Sequence, residues 1–161
     1  MTICNQCPRH CGADRSGGKP GFCGVGDAPV VARAAPHFGE EPCISGERGS
    51  GAVFFAGCTL RCVFCQNYGL SRARLGKEIT TARLRDIFLE LRDQGVHNIN
   101  LVTASHYTHA VIEALSGLDL GIPVVWNSSG YESAETLKQL EGLVQVYLPD
   151  LKYLDSALAA R

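Results

Sequence analysis

From Gly51 onward, short apolar runs alternate with longer segments whose apolar residues recur every three or four positions. Short apolar runs are typical of buried strands, and the longer period indicates amphipathic helices. The four predicted strands are Ala52–Ala56, Ile99–Thr103, Pro123–Asn127 and Leu143–Leu148. The three predicted helices are Thr80–Gln94, Tyr107–Leu118 and Ser133–Leu140. This alternation predicts a parallel sheet covered by helices, which is an α/β fold.

Two of the helices carry a clear apolar stripe, and their ends carry capping residues. Either Thr80 or Thr81 can cap the first helix, Gly95 can end it, and Ser133 is the predicted cap of the third. The stripe of the first helix is Leu84, Ile87, Phe88 and Leu91. The stripe of the second is Val111, Ala114, Leu115 and Leu118.

Residues 1–50 differ from the remainder of the chain, because they are rich in glycine, proline and cysteine and show little hydrophobic periodicity. We therefore predict two regions, a cysteine-rich metal-binding segment over 1–50 and a β/α region over 51–161. A segment with so few apolar residues is more easily ordered if it binds a metal.

Composition narrows the class of protein. The chain has 161 residues and a formal net charge of −1, with no basic stripe that would attract nucleic acid. Its first residues do not resemble a signal peptide, and no apolar run is long enough to cross a bilayer. The predicted location is the cytoplasm, with neither nucleic acid nor membrane as a partner.

Eight cysteines are many for a chain of this size, and most of them fall into two groups. In a reducing compartment such groups indicate metal or redox chemistry; the alternative is free thiols or disulfides. The second group, Cys58, Cys62 and Cys65, has the spacing C-x3-C-x2-C. Three thiolates are one fewer than a closed 4Fe–4S site uses, which leaves one iron open.

The first group, Cys4, Cys7, Cys11 and Cys23, supplies four thiolates, which could close a zinc site or hold an auxiliary iron–sulfur cluster. The spacing does not separate the two, and His10 adds a candidate nitrogen ligand. Four ligands leave no open position, so a structural role is favoured over a catalytic one. The remaining Cys43 is predicted to be a buried thiol.

Polar or metal-binding residues follow all four predicted strands. In parallel α/β folds the active site lies at the carboxyl ends of the strands, so these residues should share one site. The four strand ends lead into Cys58–Cys65, Thr103–His106, Asn127–Gly130 and Asp150–Lys152.

The run SGERGSGAVFFAGCTLRCVFCQN, residues 45–67, resembles the radical S-adenosylmethionine superfamily. Within it, the run is similar to glycyl-radical-enzyme activases, above all to proteins related to the pyruvate formate-lyase activating enzyme. The resemblance extends from about Cys4 to Tyr153. It implies a partial (β/α) barrel of about six units. The chain supplies about four, so we expect a truncated form whose activity is in question.

The resemblance also implies the cofactors. Cys58, Cys62 and Cys65 would hold three irons of a 4Fe–4S cluster, and S-adenosylmethionine would bind the fourth. Its reductive cleavage would give a 5′-deoxyadenosyl radical that abstracts hydrogen, in the activases from a glycine of a partner enzyme. The implied partners are an electron donor such as flavodoxin or ferredoxin and a protein substrate. No catalytic residue is assigned.

Further cofactor-binding residues follow from the resemblance. Phe64 fits an aromatic position near the adenine. Ser105 and His106 stand where many members carry a Gly-Gly-Glu segment that contacts the methionine amino group; a helix cap is the alternative for Ser105.

Two more segments resemble those that bind a monovalent cation near the cofactor and dock the substrate in activases. Asn127 and Ser128 match the first segment, in which Asn127 replaces an aspartate. Asp150 and Lys152 match the second, with a solvated ion pair as the alternative. The competing hypotheses for the whole chain are a non-catalytic zinc or iron–sulfur module and an inactive fragment of a radical enzyme.

Overall fold

The computed structural model describes residues 3–159, which form one six-stranded sheet covered by helices. The strands are β1 Val30–His37, β2 Ser50–Phe55, β3 Lys77–Glu78, β4 Ile99–Val102, β5 Val124–Ser128 and β6 Val146–Pro149. The helices are α1 Pro42–Ser45, α2 Tyr68–Ser71, α3 Thr81–Asp93, α4 Thr108–Leu115, α5 Ala134–Gln139 and α6 Ser156–Ala159. A 3-10 turn, Ser105–Tyr107, precedes α4.

The four strands predicted from the apolar runs are β2, β4, β5 and β6, and they pair in parallel in that spatial order. One row of the ladder joins Phe54, Val102, Asn127 and Leu148 across all four strands. The carboxyl ends of these strands therefore emerge at one edge, and the predicted α/β fold with a partial set of β/α units is confirmed.

The cysteine-rich segment contributes more to the sheet than its sequence indicated. Strand β1 lies within residues 1–50 and pairs antiparallel with both β2 and β3, with an irregularity between Val31 and Arg33. The spatial order β3-β1-β2-β4-β5-β6 thus places an antiparallel pair of strands on one side of the parallel ladder.

The core lies between the sheet and the helices α3 and α4. All four residues of the predicted α3 stripe are buried, since Leu84, Ile87, Phe88 and Leu91 each expose at most 7% of their surface. They meet apolar residues of β2, β4 and β5, among which Trp126 is the largest fully buried side chain.

Helix α4 is shorter than predicted. The chain first makes the 3-10 turn and leaves the helical conformation at Ser116, whose ψ is 121°. Leu118 consequently lies beyond α4 and is only partly buried against the core. None of the helices within residues 3–159 is long and apolar enough to cross a membrane.

Candidate metal centre

The loop that carries Cys58, Cys62 and Cys65 leaves the carboxyl end of β2. Cys58 is 8% exposed, whereas Cys62 and Cys65 are half-buried, and all three are free thiols. The three sulfur ligands are therefore available at the edge where the parallel strands end.

Gly57 directs the chain from β2 into this loop. Its φ of +83° lies in the left-handed region, and a Cβ at this position would come within 2.8 Å of the Cys23 carbonyl oxygen. The Gly57 amide also donates to the Leu70 carbonyl over 2.9 Å. A side chain here would strain the backbone and push the loop away from the segment below it.

Two of the sulfur atoms accept hydrogen bonds. The Leu60 amide donates to Cys58 Sγ and the Ser71 hydroxyl donates to Cys65 Sγ, each over 3.4 Å. Burial raises the pKa of the Cys62 thiol, and the positive charge of Lys152 acts in the opposite direction. Hydrogen bonds and cations near thiolates are among the features by which a protein adjusts an iron–sulfur centre.

The three cysteines of this loop are free thiols and can each bind one iron of a 4Fe–4S cluster. Within residues 3–159, no group of three His, Cys, Asp or Glu side chains stands close enough together to hold one metal ion. In a 4Fe–4S cluster each thiolate binds a different iron, so its ligands need not converge on one point. This loop supplies three free thiols, one for each of three irons.

A carboxylate that the sequence analysis did not identify joins the ends of β4 and β5. Glu132 accepts hydrogen bonds from the hydroxyls of Ser105 and Ser128, the second over 3.0 Å. Both serines are buried, with 2% and 4% exposure. The alternative prediction for Ser105 was a helix cap. Among the described contacts, its side chain caps neither the 3-10 turn nor α4.

His106 lies in the core, with 1% of its surface exposed. Its Nε2 pairs with the Ala56 carbonyl over 2.8 Å, which requires the proton on Nε2 because a carbonyl only accepts. Burial lowers the pKa of His106 to about 4. The ring is therefore neutral near pH 7, and its cofactor-binding role stays a prediction.

Asn127 points its amide at a second carboxylate that the sequence did not single out. Asn127 Nδ2 donates to both oxygens of Glu40, each over 3.3 Å. Glu40 lies in the segment between β1 and α1 and is half-buried. Asn127 stands where the similar segment of the activases has an aspartate. Glu40 therefore places a carboxylate beside a position that lacks one.

The segment after β6 approaches the cysteine loop. The rings of Phe64 and Tyr153 meet edge to face, with centroids 5.8 Å apart. Asp150 and Lys152 form an ion pair with each other, which was the alternative considered for them, and Asp150 also donates its amide to the Ser128 carbonyl over 2.9 Å. The ends of β2, β5 and β6 are thus linked by direct contacts.

The N-terminal cysteines also lie close to one another. Burial and the neighbouring thiols of Cys4, Cys23 and Cys11 raise the pKa of Cys7. All four are free thiols, and Cys23 is buried.

Cys43, by contrast, is exposed, so the prediction of a buried thiol there is wrong. It lies in α1, whose buried residues are Ile44 and Ser45.

A parallel β/α sheet with three free cysteines on a strand-end loop defines a β/α protein equipped for an iron–sulfur cluster. The chain belongs to the radical SAM superfamily, whose family model matches residues 52–157. The matched residues include the whole C-x3-C-x2-C loop. Membership in the superfamily implies a 4Fe–4S cluster and S-adenosylmethionine as cofactors.

A curated relative is similar over nearly the whole chain. The uncharacterized protein MJ0674 of Methanocaldococcus jannaschii is 33% identical over 159 residues, which cover 93% of this chain. The chain spans 45% of the length of that relative. No solved structure matches the chain.

Proposed function

We propose that this chain is the cluster- and cofactor-binding part of a radical S-adenosylmethionine enzyme. The observation that carries the proposal is the position of Cys58, Cys62 and Cys65, three free thiols on the loop at the carboxyl end of β2, within the part matched by the family model. These thiolates would hold a cluster that, once reduced by an electron donor, would supply the single electron for cleavage of S-adenosylmethionine to methionine and a hydrogen-abstracting 5′-deoxyadenosyl radical.

The protein's own residues hold and shield the reactants. Cys58, Cys62 and Cys65 supply the thiolates, and the Leu60 amide and Ser71 hydroxyl donate to two of these sulfurs. Such hydrogen bonds stabilise negative charge on sulfur and so influence the reduction potential. Phe64 offers an exposed ring next to the loop, against which an adenine can stack.

Glu132 is proposed to accept a hydrogen bond from the methionine ammonium group. Its carboxylate is already oriented by Ser105 and Ser128 at the carboxyl ends of β4 and β5. A carboxylate paired with an ammonium forms a charge-assisted hydrogen bond. Glu132 would then provide the acidic group that the Thr103–Tyr107 segment itself lacks.

Asp150, Ser128 and Asn127 are proposed to line the far side of the cofactor, as the resemblance to activases implies. Oxygen ligands from Asp150 and Ser128 suit a hard monovalent cation. Glu40 supports this assignment because it adds negative charge beside Asn127. Lys152 is proposed to bind the cofactor carboxylate or the substrate backbone.

The substrate is proposed to be a glycine in a partner protein, with flavodoxin or ferredoxin as the electron donor. The support for this finer assignment is the resemblance of residues 45–67 to glycyl-radical-enzyme activases. It is tested by supplying candidate partners labelled with deuterated glycine and measuring deuterium in the 5′-deoxyadenosine produced. Transfer from other labelled positions, with none from glycine, would argue against an activase.

The cluster itself is tested by anaerobic reconstitution with iron and sulfide. Addition of S-adenosylmethionine should change the electron paramagnetic resonance signal of the reduced protein. Changing Cys58, Cys62 or Cys65 to Ala should abolish this change on addition of S-adenosylmethionine, whereas the exposed control C43S should retain it. A colourless protein that binds zinc but not S-adenosylmethionine would favour the non-catalytic module.

A further inference from the structure

We propose that Cys4, Cys7, Cys11 and Cys23 form a second, tetrathiolate metal site whose negative charge is balanced by Arg15 and which holds the Cys58 loop in place. This site lies outside the residues matched by the family model, which begin at Ala52. It goes beyond the radical function proposed above and does not depend on it.

The backbone of the N-terminal segment brings its sulfur atoms near one another, although no three of them within residues 3–159 stand close enough to hold a metal ion without moving. The Cys4 amide donates to the Ala13 carbonyl over 3.0 Å, which closes the loop carrying the first three cysteines. The point where a Cβ on Gly21 would stand lies 2.9 Å from Cys11 Sγ and 3.8 Å from Cys23 Sγ. Because Gly21 has no side chain, both sulfurs can occupy the space beside it.

Arg15 supplies an independent indication that an anionic centre belongs here. It is only 3% exposed, and none of the three ion pairs found among residues 3–159 involves it. Its Nη1 donates to the His106 carbonyl over 2.6 Å and lies 3.6 Å from Cys4 Sγ, while Nε donates to the Gly26 carbonyl over 3.0 Å.

A buried guanidinium without a counter-ion is costly, because carbonyl groups satisfy its N–H donors but do not neutralise its charge. Four thiolates on a divalent metal centre keep a net negative charge, which would provide the missing partner at Cys4. The same chemistry serves a zinc ion and an iron–sulfur cluster. Since metal binding and local ordering are coupled, we expect the metal to draw the sulfurs into final geometry.

The segment also contacts the radical-site loop directly. The Cys58 amide donates to the Cys23 carbonyl over 3.4 Å, and Arg9 Nε donates to the Thr59 carbonyl over 2.9 Å. Arg74, which follows that loop, donates to the Gly24 carbonyl over 2.8 Å. Ordering of the N-terminal site by a metal therefore fixes the backbone from which Cys58 projects.

The decisive experiment removes the ligands Cys58, Cys62 and Cys65 and asks whether the protein still binds a metal. C58A/C62A/C65A protein, purified without oxygen, should keep roughly one zinc or about four irons with sulfide per chain. Adding C7S/C11S should remove this metal, whereas adding the exposed control C43S should not. A folded C58A/C62A/C65A protein that holds neither metal would overturn the proposal, as would one that keeps its metal after C7S/C11S.

Two further measurements do not depend on the cysteine variants folding. Arg15→Met leaves every ligand in place but removes the counter-charge, so a chelator should extract the metal roughly tenfold faster. Chelation should also accelerate hydrogen exchange in the peptide covering residues 57–62. An unchanged extraction rate would contradict the counter-charge role, and unchanged exchange would contradict the hold on the loop.

Discussion

The Ser128 hydroxyl donates a 3.0 Å hydrogen bond to the Glu132 carboxylate, four residues further along the chain. Because Ser105 donates to the other oxygen of the same carboxylate, Glu132 connects the ends of β4 and β5. The carboxylate is therefore held at the edge of the sheet where the cysteine loop also emerges.

Replacing Glu132 by Gln should weaken binding of S-adenosylmethionine about 10- to 100-fold, because a hydrogen bond to a charged group contributes about 1.5–3 kcal/mol. Calorimetric titration of the reconstituted protein measures the change. The control is Glu141→Gln, an exposed residue after α5. Equal affinity in wild type and E132Q would remove Glu132 from the cofactor site.

The parallel part of the fold was predictable because its signals are local. Each of the strands β2, β4 and β5 is a nearly continuous apolar run, as expected for strands buried on both faces. Strand β1 carries no such signal, since Arg33 and Ala34 are exposed and Pro36 interrupts the run. Its place in the sheet follows from pairing with β2, which is a tertiary effect.

The candidate site was predictable only where residues are close in sequence. The C-x3-C-x2-C spacing identifies three ligands within one loop, and strand ends identify Ser105 and Ser128. Glu40, which is followed by Glu41, and Glu132 are acidic residues in loops, with no motif around them. Only the folded chain brings Glu40 to Asn127, 87 positions away.

The structure decides between two predicted caps of α3. Thr80 is the N-cap, and its hydroxyl accepts from the Arg83 amide over 3.1 Å. We expect Thr80→Ala to lower the free energy of unfolding by about 1 kcal/mol. Thr81→Ala removes only an exposed contact with Glu113 and should cost at most about 0.5 kcal/mol. Urea denaturation of both variants tests the assignment, which a larger loss in T81A would reverse.

Leu84 is the position at which α3 should be least tolerant of truncation. It is 0% exposed and packs in the core between α3 and the sheet. Leu84→Ala should therefore cost about 2–5 kcal/mol, the sum of lost burial and a residual cavity. Leu154→Ala, at a side chain that is 94% exposed, is the matched control and should change stability by less than about 0.5 kcal/mol. Equal denaturation midpoints for the two variants would contradict the described core.

His106 should make stability depend on pH. Burial lowers its pKa from 6.5 to about 4. The unfolded chain therefore binds more protons than the folded chain between these two values, so stability falls as the pH is lowered through this window. The full difference amounts to roughly 3 kcal/mol.

The measurement compares unfolding free energies at several pH values in wild type and His106→Gln. Glutamine can still donate an N–H toward the Ala56 carbonyl but does not titrate, so H106Q should lose this part of the pH dependence. His109→Gln, at an exposed histidine three residues away, should keep it. If wild type and H106Q lose stability in parallel between pH 6.5 and pH 4, the ring does not take up its proton on unfolding, and the buried neutral form described here is wrong.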